Sequence, residues 1–428
     1  LHDALPISGR ISDARTGAPV TATISIAGTP AMTTTDAQGY YSLTVPAGTV
    51  TLRVWPRAVG HRGVVVPGVE VGVGQQVATD VLLDPAPRLL FVEADAWRAA
   101  PEAACYQTDL EALLYAYDTW RIFQFPQDVP PAAVLRQYDL VVWSQPESSP
   151  GFIGAWPSLE SYLRAGGRLL ISGQDIGYWD SARGYGRAEY AGLLHARLVT
   201  DNSGSWQVRG VSGSPWEGIS LTLNTPDSAA NQVDPSQIAP HDAFARPVLE
   251  YPGIGAAGLA VEGCGYRALY LAFGLGGAGS AQARQELLQR SIEHLMGPRP
   301  GSAFNVHQEA ASLTALPLSR PRHRVAIANL GTTAARYEIQ VLTSTWPAAV
   351  LDASDLNPIS VTPVLTPCAS TGVEIQISVP EQAVAGDIGS TRVRVVPQGL
   401  PALGQEVTLL TLVLPDWTEA GRLPAPRY

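Results

Sequence analysis

The period of the hydrophobic residues changes twice along this chain, and no single core accommodates both changes. From residue 8 to 84 the runs VTATISIAG, GYYSLTVPAG, TVTLRVWP and QVATDVLLD alternate apolar with polar residues, and Gly17, Gly39 and Gly48 stand at turn positions. From 88 to 298 strand-like apolar runs are followed by helical ones. After Phe304 the period of two returns in HRVAIANLG, RYEIQVLTS, GVEIQISVP, STRVRVVPQ and EVTLLTLVLP, as far as Val413. A chain of 428 residues also exceeds what one ordinary core serves. The expected fold class is multi-domain: a β-sandwich over 8–86, a doubly wound α/β domain over 88–298, a second β-sandwich over 302–413 and a tail over 414–428.

The middle region decides where a site would lie. RLLFVEAD, WRIFQF, DLVVWSQ and RLLISGQ read as strands, with YQTDLEALLYAYD, PPAAVLRQY and WPSLESYLRAGG as the helices between them. Leu110, Leu113, Leu114 and Tyr117 mark one helical face. AGLAVEG and YRALYLAFG add two strands, SAQARQELLQRSIEHLMG closes the region, and 200–255 reads as an irregular insertion. Such a sheet is parallel and carries its ligand outside the carboxyl ends of its strands. Those ends supply Glu93 and Asp95, then Ser144-Gln145, then Asp175. Asp175 is the centre of Gly173-Gln174-Asp175-Ile176-Gly177, the spacing by which some α/β enzymes push a nucleophile out of a strand-to-helix turn.

Composition narrows the partners. The net charge is −10, the acids are scattered, and the 28 basic residues, all Arg, form no cluster; this excludes nucleic acid and anionic membrane surfaces. No apolar run reaches the length of a membrane span. Cys105, Cys264 and Cys368 lie far apart, without a CxxC or a companion His, so neither a zinc site nor a disulfide framework is expected. Isolated, partly buried thiols are the preferred reading, with a Cys105–Cys264 bridge the alternative for a secreted protein. The opening LHDALPI back-translates to CTACACGACGCTCTTCCGATC, which resembles a sequencing-library adapter. Leu1–Ile7 is therefore read as foreign and the natural N-terminus as missing.

Three stretches resemble known families. GRISDARTGAPVTATISIAG with TTTDAQGYYSLTVPAGTVTLRV resembles the carboxypeptidase regulatory-like domain, which implies a spacer without catalysis. Its Asp36-x-x-Gly39-Tyr40, with one acid and no closing Glu, reads as a β-turn in preference to a calcium loop. The elbow at 173–177, with YDLVVWS before it and YRALYLAFGLGG…RQELLQRSIEHLMG after it, resembles the flavodoxin-like fold of class I glutamine amidotransferases. RVAIANLGTTAARYEIQV and ISVPEQAVAGDIGSTRVRVVP resemble the immunoglobulin-like modules of bacterial secreted enzymes. The order of the three is similar to the region that follows the catalytic domain in secreted subtilisin-like serine peptidases. That implies an extracellular or cell-surface location and an upstream peptidase domain in the same chain.

The amidotransferase resemblance places a Cys at the elbow, and a His with a nearby Glu after the late strand. Here the elbow holds Asp175, and AFGLGGAG (272–279) holds neither His nor acid. Glutaminase chemistry, which needs thiolate, imidazole and orienting acid, is excluded on those residue types. Three uses of Asp175 remain. It is a nucleophile with His241 or His195 as base; or it joins Glu93 and Asp95 around a hard cation; or it caps the following turn by accepting backbone N–H groups, the preferred reading. Glu93, Asp95, Asp175, Tyr178 and Trp179 together form a candidate glycan- or peptide-binding crevice, with Trp97, Trp143 and Trp156 nearby. No cofactor or metal is assigned. The leading expectation is a non-catalytic accessory or scaffolding region.

Overall fold

The computed structural model describes residues 5–98, 102–145 and 148–415, and they are predominantly strand. They form two compact units. One runs from the first strand to Ala239 and includes Pro247–Val261 and Gly265–Gly297; the other comprises Pro240–Arg246, Glu262–Cys264 and the chain from Pro298.

The first unit opens with two small sheets. One has Leu5–Asp13 between Tyr40–Val45 and Val77–Ala78, with Val81–Leu83 also pairing to it; the other runs Met32–Thr34, Ala22–Ile26, Gly48–Pro56, Val64–Val71. Alternate residues (Ile7, Ile11, Ile24, Leu43, Leu52, Val54) fill the space between them, as the period of two requires. The first strand starts at Leu5, and Ile7 is fully buried opposite Leu43, so the fold begins before the expected boundary at residue 8. Asp36 accepts the backbone N–H groups of Gln38 and Tyr40, and Gly39 takes φ +84°, which makes this segment a tight turn.

The next sheet carries five parallel strands: β1 (Leu89–Glu93), β2 (Tyr117–Arg121), β3 (Leu140–Ser144), β4 (Arg168–Ser172) and β5 (Arg267–Leu271), in the order β2-β1-β3-β4-β5. Antiparallel strands extend it beyond β5, starting with Gly255–Val261. β1, β3 and β5 are buried at every residue, as expected of strands covered on both faces. Leu89, Phe91, Leu140 and Val142 share a core with helices α1 (Glu102–Ala112) and α5 (Ala281–Met296). The alternate residues Leu90, Val92, Val141 and Trp143 point to the opposite face and are equally buried. Helices α2 (Ala132–Leu135), α3 (Trp156–Arg164) and α4 (Arg187–Leu193) complete the set, α3 burying Leu159, Tyr162 and Leu163.

Two local expectations are corrected. The helix drawn over 106–118 stops at Ala112, because Leu114 adopts φ +63° and the chain reverses. Tyr115 N–H bonds Leu110 C=O and Leu114 N–H bonds Glu111 C=O, a Schellman closure with leucine in glycine's usual place. Tyr117 therefore lies in β2, not on a helix. The presumed linker 84–88 is held against the sandwich, with Ala86 N–H on Gly60 C=O. Arg62 crosses from there to the end of α1, donating to Leu113 C=O (2.9 Å) with its guanidinium 4.9 Å from the Tyr115 ring.

The second unit holds another pair of four-stranded sheets: Phe304–Gln308, Arg322–Asn329, Ser370–Ile377, Ala348–Asp352 against Ser312–Ala315, Gln405–Val413, Ile388–Pro397, Tyr337–Ser344. Val325, Ile327, Ile375, Val393 and Val395 meet in the core of this β-sandwich. Of the expected tail, residues 416–428 lie outside the described residues.

Candidate functional site

The sheet order turns at β1, whose neighbours β2 and β3 lie on opposite sides, and this is where an open α/β sheet offers a crevice. Pairing continues one residue past the strands, with Ile122 N–H on Glu93 C=O and Ala94 N–H on Ser144 C=O, before the loops diverge. The diverging loops enclose a cavity of about 260 Å³ lined by Asp95, Trp97, Phe123, Phe125, Gln145 and Phe152. Asp95 and Gln145 are buried at its floor, whereas Trp97 and Phe123 are about half exposed at its mouth. Trp143 donates its indole N–H to Gln145 Oε1 at 3.3 Å. Apolar walls over a floor carrying an acid and an amide can seat the flat face of a ring and orient its polar edge.

Of the five residues grouped from the sequence, only Asp95 lines this cavity. Glu93 is committed to Arg121 at 3.0 Å. Tyr178 and Trp179 lie in a single π-turn, Gly177–Ala182, and stand behind the wall. Their rings lead through Tyr185 to Phe152 and Phe125, with centroids 5.0–5.8 Å apart at each step. Trp179 also donates to Ser148 C=O at 2.8 Å. Trp143 and Trp156 are core residues. Trp156 donates to Asp180, which also accepts from Ile153 N–H; burial still pushes the Asp180 carboxyl up to about 6.

Asp175 follows β4 in a tight turn. Gly173 is required there, since a Cβ would lie 2.0 Å from Gln145 C=O. No positive φ occurs at Asp175, so the strained geometry of a nucleophile elbow is absent at this residue. Its side chain is only 5% exposed. The expected cap is not formed; Asp175 faces Asp201, with Asp234 adjoining. Two ionised carboxylates cannot bond each other, and Oδ1 of both Asp175 and Asp201 lacks a donor among the described residues. One proton turns that repulsion into an O–H···O bond. Burial, reinforced by Asp201 and Asp234, pushes the Asp175 carboxyl up to about 8, and burial also raises Asp201. Gln174 fixes the acids' setting: its Oε1 accepts the N–H groups of Val233 (2.6 Å) and Asp234 (2.9 Å), and its C=O accepts Ser236 Oγ–H.

The segment after β5, where the resemblance would put an imidazole, is packed instead. A Cβ at Gly274 or Gly276 would fall 2.5 Å from Glu102, and one at Gly277 2.4 Å from Gln232. Glu102 accepts Gly276 N–H and the Asn231 amide; Gln232 accepts Gly274 N–H at 2.6 Å. These three side chains, like Asp201 and Asp234 beside Asp175, are polar residues that sequence reasoning missed. Glu102 lies before the helix read over 106–118, whereas α1 starts at Glu102 itself, and 231–232 lie in the insertion.

The candidate bases are elsewhere. His195, just beyond α4, meets the Tyr266 hydroxyl at 3.1 Å, and that hydroxyl donates to Leu193 C=O. His241 is exposed and belongs to the second unit. Asp175 as nucleophile is thus faced by carboxyl groups, not by an imidazole. Among the described residues no group of three or more His, Cys, Asp or Glu is placed to hold a metal ion, so Glu93, Asp95 and Asp175 do not converge. No described helix is long and apolar enough to cross a membrane. Cys264 lies beside Cys368 in the second unit, which replaces the Cys105–Cys264 pairing considered from sequence.

Residues 6–84 match the carboxypeptidase regulatory-like domain. No curated protein sequence matches the chain. Among solved structures, the chain is similar to the secreted serine protease VesC from Vibrio cholerae at 11% identity, covering 46% of this chain and 42% of that one, TM-score 0.19. A family 123 glycoside hydrolase from Clostridium perfringens matches at 8% identity over 27% of this chain and 28% of its own, TM-score 0.22. The N-terminal domain of PorA matches at 14% identity over 26% of this chain and 97% of its own, TM-score 0.21. The chain covers less than half of the first two.

Proposed function

We propose that this chain is a non-catalytic accessory region of a secreted multi-domain protein, a subtilisin-like peptidase being the leading parent. In this reading the α/β domain is a degenerate amidotransferase-like fold kept as a scaffold, and the C-terminal sandwich is immunoglobulin-like. The parallel order β2-β1-β3-β4-β5 supports the flavodoxin-like assignment. The observation that carries the reading is that both catalytic positions are filled: Asp175 is buried against Asp201, and Glu102 and Gln232 occupy the space beside Gly274–Gly277. Purified protein incubated with glutamine and with simple amides and esters should release no product. Turnover that disappears in Asp175→Asn refutes the reading.

A second role is favoured by the crevice at β1–β3: binding of a glycan or peptide whose ring packs on Trp97 and Phe123 above Asp95 and Gln145. Titration with glycan and peptide panels should quench Trp97 fluorescence, and Trp97→Ala should weaken binding at least tenfold. Equal binding by that variant refutes this use of the crevice.

A further inference from the structure

The two cysteines brought together in the second unit play no part in the proposed function. Cys264 is exposed in the segment Glu262–Cys264, and Cys368, half-buried, ends the turn before strand Ser370–Ile377. The Cys264 thiol reaches the Cys368 C=O at 3.6 Å, which sets it against the backbone of the residue that carries the second thiol, and that neighbour raises the Cys264 thiol. Both segments are fixed. Arg299 donates to Gly263 C=O at 2.8 Å, Glu262 N–H bonds Phe244 C=O, and Cys368 N–H bonds Asn329 C=O at 3.0 Å. The fully buried Asn329 in turn donates to Leu365 C=O. Two cysteines held side by side, one of them open to solvent, are arranged for exchange with an external disulfide.

We infer that Cys264 and Cys368 form an intramolecular disulfide whenever the protein meets an oxidising low-molecular-weight disulfide. Cys264 thiolate attacks oxidised glutathione, making a mixed disulfide and releasing one glutathione. Cys368, having lost its proton to solvent, then displaces the second glutathione. Two protein thiols are oxidised and one glutathione disulfide is reduced to two thiols. Burial, and after it the neighbouring Cys368 thiol, push the Cys264 thiol up to about 11 against the pull of Arg299. Only the thiolate attacks, so the first step should speed about tenfold per pH unit between pH 7 and 10.

The test is peptide mapping of the whole chain after reduction, removal of reductant and exposure to oxidised glutathione. Arg being the only tryptic site type, Cys264 falls in peptide 210–267 and Cys368 in 337–392, with Cys105 in a separate peptide, 99–121. A 210–267/337–392 cross-link that vanishes on reduction, and is absent in Cys368→Ser but kept in Cys105→Ser, is expected. The inference fails if Cys264 stops at the mixed disulfide, if either cysteine links to Cys105, or if the bond joins two chains. The wild-type map decides these cases even if a variant misfolds.

Discussion

Replacing Asp175 by Asn should make the protein more stable above neutrality, an unusual outcome for a change at a strand-end acid. Asp175 is almost fully buried facing Asp201, with Asp234 adjoining, and its carboxyl is raised from 3.8 to about 8. Between those two pH values the unfolded chain has released this proton while the folded chain still holds it. The folded state then binds more protons, so the contribution of this group to stability is fully present below about pH 4 and is lost as pH rises through the window. Four pH units at about 1.4 kcal/mol each set an upper bound of roughly 5–6 kcal/mol. The proton is shared with Asp201, whose own carboxyl is raised, so the titration belongs to the pair. About half the bound, 2–3 kcal/mol, is the expected size.

Asn keeps the shape, has no proton to lose, and offers Asp201 an N–H donor. Urea unfolding at half-unit steps from pH 4.5 to 8.5 should show a falling midpoint for the wild type and a flatter one for Asp175→Asn. The variant should be ahead by about 2–3 kcal/mol at pH 8.5 and level near pH 4.5. Parallel pH profiles, or a variant weaker at pH 8.5, would show that the carboxyl pair is not strained and remove the argument that the elbow is an unreactive, protonated acid.

Two further outcomes follow from buried polar groups. Arg284→Met should cost about 3–5 kcal/mol in chemical denaturation, because Asp109, bonded at 2.8 Å and itself 2% exposed, would be left as an unpaired buried charge between α1 and α5; a loss below 1 kcal/mol contradicts it. Trp156→Phe should cost about 1–3 kcal/mol by removing the indole donor from the fully buried Asp180, and urea midpoints equal to wild type would contradict that.

What the sequence made legible was whatever depends on period. Alternation in VTATISIAG and RVAIANLG named the strands because one face of each had to be apolar, and the continuous apolar runs LLFVE and LVVWS marked strands buried on both sides. The elbow region, though, depends on which side chains meet across the fold, and period carries no such information. Asp201 and Asp234 reach Asp175 from segments 26 and 59 residues away, in stretches whose composition reads only as loop. Phe123 and Phe125 look like the interior of a strand, yet β2 ends at Arg121 and both side chains line the crevice. A motif fixes only the backbone path through a turn. The chemistry at its apex is set by what arrives from elsewhere, and at Asp175 that is a second carboxyl group. A buried acid facing another acid holds its proton near neutrality and is therefore a poor nucleophile. The same glycine spacing that opens an active site in one chain thus encloses a protonated pair in this one.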